Sequence, residues 1–343
     1  MKALRWYAKK DLKYEDVPEP FPGPGQVKVK ISLAGICGTD LREYNVGPNI
    51  ISSDKVPLII GHEFSGKVVD VGKGIHDMKP GDRVTGLCYW ECGECFFCKK
   101  GQYNLCLNKG LIGATSNGCM AEYLVAPRFS FQKLPDSVSD QIGALVEPLS
   151  VALHAIRRGN IQIGDTVGIV GDGPIGLCAL LAAKAAGASE VYVVSKHRNR
   201  GNVAAILGAN AVININDEEP IKIINNMTGG LGVDLSLDCV GNTSTPQLSI
   251  DLTRMGGTTV MVGASYNSSL LNFRGVMSKE KNIVGSSIYF QEPAFVVALL
   301  ADNRIDPRPL ISSIVPLKDA IEKGFKQLIE NKETNLKVLL QVS

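Results

Sequence analysis

The chain has 343 residues, 45% of them hydrophobic and 20% charged. That length suits two domains, each with a sizeable core. Its 36 Lys and Arg against 34 Asp and Glu, with a formal charge of +2, argue against a nucleic-acid-binding stripe, a disordered chain or a coiled coil.

No apolar run reaches membrane-spanning length, and the start, Met1 to Trp6, lacks the apolar core of a signal peptide. A soluble, cytoplasmic protein with no membrane partner is expected. From Lys2 to about Leu149, short β-like runs are broken by Gly and Pro. Val27 to Ile31 alternates apolar and polar residues, as a half-buried strand does. Gly66–Val71 and Ala121–Val125 read the same way, and Pro-Gly pairs at 22–23, 24–25 and 80–81 mark turns.

The grammar changes after Glu147. A helix is expected over Leu149–Arg157, then an apolar strand over Asp165–Val170, a long helix over Ile175–Ala186 and a strand over Glu190–Val194. Further strands are expected at Ala211–Ile213, Val233–Asp238, Thr258–Val262 and Asn282–Val284. Strands alternating with helices predict βαβ units and a parallel, doubly wound sheet. Beyond about residue 288 the pattern gives helices near Pro293–Ala301 and Leu317–Glu330. A last strand at Leu336–Val342 is expected to return to the first domain.

Nine cysteines are present, and four crowd together as Cys92-x2-Cys95-x2-Cys98-x7-Cys106. Without a secretory signal, such a cluster reads as a metal site before a disulfide framework. Four thiolates complete a zinc tetrahedron, so this zinc is expected to be structural. An iron–sulfur cluster is the rival, but the last spacing is longer than that run requires and no Pro follows it. A DNA-reading finger would need a recognition helix and a basic surface.

Gly171-Asp172-Gly173-Pro174-Ile175-Gly176 matches G-x-G-x-x-G between an expected strand and an expected helix. The glycines would permit a tight turn, close approach to a pyrophosphate and close helix packing, with the helix N-terminus facing the phosphates. A purely structural glycine turn is the plain alternative. The following strand ends in Ser195-Lys196-His197-Arg198-Asn199-Arg200, with no acid where an NAD site usually carries one. Ser195, Lys196, Arg198 and Arg200 therefore predict NADP over NAD, since cations hold a 2′-phosphate. A solvated basic loop is the alternative.

A second constellation is spread out: Cys37, His62-Glu63 and Glu147. A lone Cys or His is most often a packed residue. A shared zinc with an open position would instead lower an alcohol's pKa toward about 7 and prime it to lose hydride.

In chain order, Gly35-Ile36-Cys37-Gly38-Thr39-Asp40, Gly61-His62-Glu63-Phe64-Ser65-Gly66, Pro80-Gly81-Asp82-Arg83-Val84, the cysteine lobe, Val146-Glu147-Pro148 and Gly171 to Gly176 resemble the zinc-containing medium-chain alcohol/polyol dehydrogenases. The resemblance spans essentially the whole chain and leans toward (R,R)-2,3-butanediol dehydrogenase and sorbitol-dehydrogenase-like members. It implies an α/β protein with a GroES-like, strand-rich catalytic domain (1–148 and 289–343) around a Rossmann domain (149–288). It also implies a catalytic zinc on Cys37, His62 and Glu147, with Glu63 able to join or leave, beside the structural zinc. Thr39 matches the residue that takes the alcohol's proton, and Lys337 a cation that touches the cofactor pyrophosphate. Arg42 stands where many relatives carry a relaying His, and it cannot release a proton.

The expected reaction is hydride transfer between a secondary alcohol, of the 2,3-butanediol/acetoin type, and NADP(H), by a homodimer or homotetramer. A sorbitol, polyol, sugar or threonine dehydrogenase is the neighbouring alternative. A catalytically lapsed zinc-binding protein is the alternative of another class.

Overall fold

The computed structural model describes residues 1–264 and 267–342. Its contacts divide the chain into two compact units. The first comprises Met1–Glu147, Pro293–Asp302 and the chain from Ile311 on; the second comprises Pro148–Glu292 and Asn303–Leu310. The expected return at 289–343 is thus interrupted, because 303–310 packs with the second unit.

The first unit is built on a seven-stranded sheet. Its spine is the strand Gln26–Gly35, which pairs antiparallel with Glu63–Val71 along one edge. On its other edge it takes Tyr123–Pro127 against 26–30 and the C-terminal strand Lys337–Gln341 against 33–35. A strand flanked on both edges and packed on both faces does not show simple alternation. Lys28, a polar position in the expected pattern, is buried. Its ammonium pairs with Glu19 and lies 4.8 Å from the Tyr123 ring centroid, which compensates a charge that burial alone would exclude. Val27, Val29, Ile31, Phe64, Val68, Val84 and Phe131 fill the core between these strands. A three-stranded sheet of Asp11–Asp16, Lys2–Ala8 and Leu58–Ile59 completes it.

The segment 317–330 is helical as expected, but not uniformly α. A 3-10 turn at Leu317–Asp319 leads into a π-helical stretch at Ala320–Phe325 and then an α-turn at Lys326–Glu330. Gly324 sits inside the π stretch, where an added Cβ would stand 2.7 Å from Ile36 Cδ1. The wider turn thus coincides with close packing beside Cys37.

The second unit is a parallel sheet of six strands. They are Thr166–Val170, Glu190–Ser195, Ala211–Asn214, Val233–Asp238, Thr253–Met261 and Asn282–Gly285. Their spatial order, 3-2-1-4-5-6 counted along this unit, is that of a doubly wound dinucleotide-binding fold. The first strand is central, and Val167 to Val170 are buried as a run, the signature of a strand covered on both faces. Among the described residues no helix is long and apolar enough to cross a membrane.

Candidate active site and metal centres

The cysteine lobe hangs from a short hairpin, Tyr89–Trp90 against Gly110–Leu111. Gly110 lies under the Trp90 ring, where a Cβ would stand 2.0 Å from its atoms. The four sulfurs all lie within 4.8 Å of one another. Named pairs are Cys95–Cys98 at 3.5 Å, Cys92–Cys106 at 3.5 Å, Cys95–Cys106 at 3.9 Å and Cys92–Cys98 at 4.0 Å. Zn–S bonds of about 2.3 Å in a tetrahedron require sulfurs about 3.8 Å apart, so the lobe fits zinc and leaves no fifth position. Backbone N–H groups of Leu107 and Cys98 bring the Cys95 thiol down to about 6, whereas desolvation and neighbouring sulfurs push Cys98 up to about 12. A divalent cation would remove that conflict by taking all four as thiolates.

The second cluster forms where the spine strand ends. Cys37 caps the helix Gly38–Val46, and its N–H donates to Asp40 Oδ2 at 2.9 Å. Thr39 Oγ1 is 3.7 Å from Cys37 Sγ. His62 precedes the strand that starts at Glu63, the residue paired across the sheet with Gly35. Gly35 is required there, because a Cβ would stand 2.3 Å from Glu63 Oε2. Glu147 enters from the first turn of the helix Val146–Arg158 and is buried.

These groups feel one another strongly. Burial pulls the His62 imidazole down, yet its hydrogen bond to Cys37 and the charges of Cys37, Asp40 and Glu147 hold it well above its usual value. Burial, reinforced by the charge of Glu63, pushes Glu147 up to about 7, against the charge of His62 and a hydrogen bond from Cys88. A sulfur, an imidazole nitrogen and a buried carboxylate in one neighbourhood form a donor set that suits zinc. Glu63 is held by an ion pair: Lys337 Nζ donates to both its oxygens, at 2.6 and 2.8 Å, and to the carbonyl of Ile36 at 3.1 Å. Among the described residues, only the cysteine lobe brings every ligand atom within 4.8 Å.

In the second unit, Gly171 has φ +121° and leads from the first strand into the helix Pro174–Ala185. Gly173 caps that helix without a side-chain cap bond, Pro174 opens it, and nothing would meet a Cβ on Gly173 within 4 Å. A Cβ on Gly176 would stand 2.0 Å from Gly171 O. An open cradle of helix N–H groups therefore sits above a turn closed by glycine, which fits a pyrophosphate.

Two family models match in tandem, an alcohol dehydrogenase GroES-like domain over residues 23–136 and a zinc-binding dehydrogenase domain over 174–302. (R,R)-butanediol dehydrogenase of Bacillus subtilis strain 168 is 36% identical over 350 residues, covering 99% of both proteins. The crystal structure of the 2R,3R-butanediol dehydrogenase from Bacillus subtilis superposes with a TM-score of 0.93 at 34% identity, over 100% of this chain and 99% of that one. Human sorbitol dehydrogenase is 34% identical over 336 residues, 96% of this chain and 93% of its own. The chain belongs to the zinc-dependent medium-chain alcohol/polyol dehydrogenases. The dehydrogenase is thus an NAD(P)-dependent oxidoreductase with the GroES-like and Rossmann parts that its sequence suggested.

Within the dehydrogenase, the expected residues fall into distinct places. Cys37, Thr39, His62 and Glu147 share one neighbourhood, and Cys92, Cys95, Cys98 and Cys106 another. Lys337, expected at the cofactor pyrophosphate, is buried on Glu63. In the 195–200 segment, Lys196 and Arg198 are exposed, and Arg198 reaches Asp217 at 3.2 Å. Ser195 is buried, with its hydroxyl donating to Asp172 at 2.8 Å.

Sequence reading gave Asp40 and Asp172 no role of their own, and set Cys88 between a pocket-wall residue and a buried thiol. Asp40 anchors the Cys37 N–H, and Cys88 bonds to Glu147. Asp172 places a carboxylate at the end of the second strand after all, although Val194 and Ser195, where that strand ends, carry none. Its signal was an acid between the first two glycines of the loop, which only the folded turn brings next to residues 195–197.

Proposed function

We propose that the dehydrogenase moves hydride between a secondary alcohol, a vicinal diol or hydroxyketone of the 2,3-butanediol/acetoin type, and NADP(H). The shared neighbourhood of Cys37, His62 and the buried Glu147 carries this reading. Those three would hold the catalytic zinc, with Glu63 as an exchangeable fourth donor that Lys337 keeps oriented and charge-balanced. When bound, zinc supplies a Lewis acid that lowers the alcohol's pKa and the nicotinamide supplies the hydride acceptor.

The rest falls to the chain's own side chains. Asp40 fixes the backbone at Cys37, and so the position of its sulfur. Thr39, next to that sulfur, takes the proton leaving the substrate hydroxyl and passes on its own. Arg42 donates to Asn49 at 3.2 Å, and a guanidinium does not give up a proton, so it takes no part in the relay. Glu147 is buried and His62 only slightly exposed, which limits the access of bulk water to the reacting oxygen.

Gly171, Gly173, Pro174, Ile175 and Gly176 would cradle the pyrophosphate. Lys196, Arg198 and Arg200, beside Ser195, would attract a 2′-phosphate. Lys337 would serve the cofactor through Glu63. A cytoplasmic homodimer or homotetramer completes the reading.

Initial rates with resolved 2,3-butanediols, acetoin, sorbitol, threonine and 2-propanol, each with NAD⁺ and NADP⁺, test it. A vicinal diol with NADP⁺ should give the highest kcat/KM. A clear preference for sorbitol or threonine would reassign the substrate, and the absence of turnover on the whole panel would favour a lapsed family member.

A further inference from the structure

We propose that Asp172 is a cofactor-specificity residue of this dehydrogenase: it holds the very donors at the end of the Glu190–Ser195 strand that a 2′-phosphate would need. The proposal rests on the reading above that residues 195–200 receive the adenosine end of the cofactor.

In folds of this kind, a carboxylate at the end of the second strand takes the ribose 2′-hydroxyl and repels a 2′-phosphate. Here that strand ends at Ser195 without an acid. Asp172 reaches the same place from the glycine loop. Its Oδ2 accepts from Ser195 Oγ at 2.8 Å, Lys196 N at 2.9 Å and His197 N at 2.7 Å. His197 Nδ1 lies 3.0 and 3.1 Å from its two oxygens. Only 5% of Asp172 is exposed. Burial works against its charge, but those donors win and hold the carboxyl below its ordinary range, so it is an anion at neutral pH.

Two effects follow. A fixed negative charge sits on the backbone at Lys196 and His197, and it opposes a dianionic phosphate there. The backbone N–H groups and the hydroxyl that would cradle that phosphate already have an acceptor. The exposed cations draw the 2′-phosphate in, and Asp172 restrains it. Cofactor choice in this chain is the balance of the two.

Calorimetric titration of the purified, zinc-loaded protein with 2′,5′-ADP and with 5′-AMP isolates the 2′-phosphate without turnover. The ratio of the two affinities is compared in the parent protein, Asp172→Asn, Asp172→Ala and Lys196→Ala/Arg198→Ala, with kcat/KM for NADP⁺ and NAD⁺ measured alongside. Asp172→Asn should raise the ratio in favour of 2′,5′-ADP by about tenfold or more, and move kcat/KM toward NADP⁺. Asp172→Ala, which removes the acceptor altogether, should move it the same way, and decides the matter if the Asn variant folds poorly. The double cation variant should lower the ratio. If that double variant leaves the ratio unchanged, the reading of the 195–200 segment fails and takes the proposal with it. If the double variant responds while both Asp172 variants do not, the proposal alone is overturned.

Discussion

Lys337 Nζ lies 2.6 Å from Glu63 Oε2, and their side chains are 3% and 1% exposed. The pair joins the first residue of the C-terminal strand to the first residue of the strand that follows His62. It ties residues 274 positions apart at the edge of the proposed zinc site. Two charges so deeply buried are tolerable only together.

Lys337→Met should therefore cost about 3–5 kcal/mol, because it strands the Glu63 carboxylate. Adding Glu63→Gln should recover much of that loss. Urea unfolding of both single variants and the double variant measures the coupling. Additive effects would mean that the pair does not act as a unit.

The cysteine lobe predicts a separable metal. Cys98→Ser should remove one zinc per chain, and local order around residues 92–106 with it, since the buried sulfur is one corner of a complete tetrahedron. Metal analysis by plasma mass spectrometry and limited proteolysis check it. Unchanged zinc content would show that three sulfurs suffice.

Asp234 ties the start of the parallel sheet together. It accepts from Thr166 N and Oγ1, both at 2.8 Å, and from Arg254 Nε at 2.6 Å. These donors, against partial burial, hold its carboxyl below the ordinary value. The stabilisation is thus present above the unfolded value of about 3.9 and is lost as pH falls through the lower folded value. Asp234→Asn should be less stable by about 1–2 kcal/mol at pH 6, with the gap closing below about pH 4. Denaturant midpoints across that range test the sign.

Much of this molecule was legible in its sequence. The glycine loop stood out because its spacing leaves a tight turn at Gly171, open space at Gly173 and close packing at Gly176, and the cysteine lobe because soft ligands at short spacing have few other uses. Parallel strands announced themselves as apolar runs. Other features depend on contacts that sequence periodicity does not encode. Lys28 reads as an exposed strand residue until Glu19 and Tyr123 are seen beside it. Lys337 reads as a cofactor contact, and nothing in the sequence points to the ion pair it makes with Glu63. Asp172 reads as a variable loop position, and the basic segment as free of acid, until the turn brings them together. In each case a long-range partner decides the role of a charged group.

Cys37, His62 and Glu147 are proposed to form a zinc site that carries the chemistry. Zinc content and alcohol oxidation in Cys37→Ser and His62→Ala, with folding followed by circular dichroism, test it most directly. The account predicts a retained fold, zinc reduced from about two per chain to about one, and kcat lower by about a thousandfold or more. Folded variants that keep both zinc ions and full activity would contradict it.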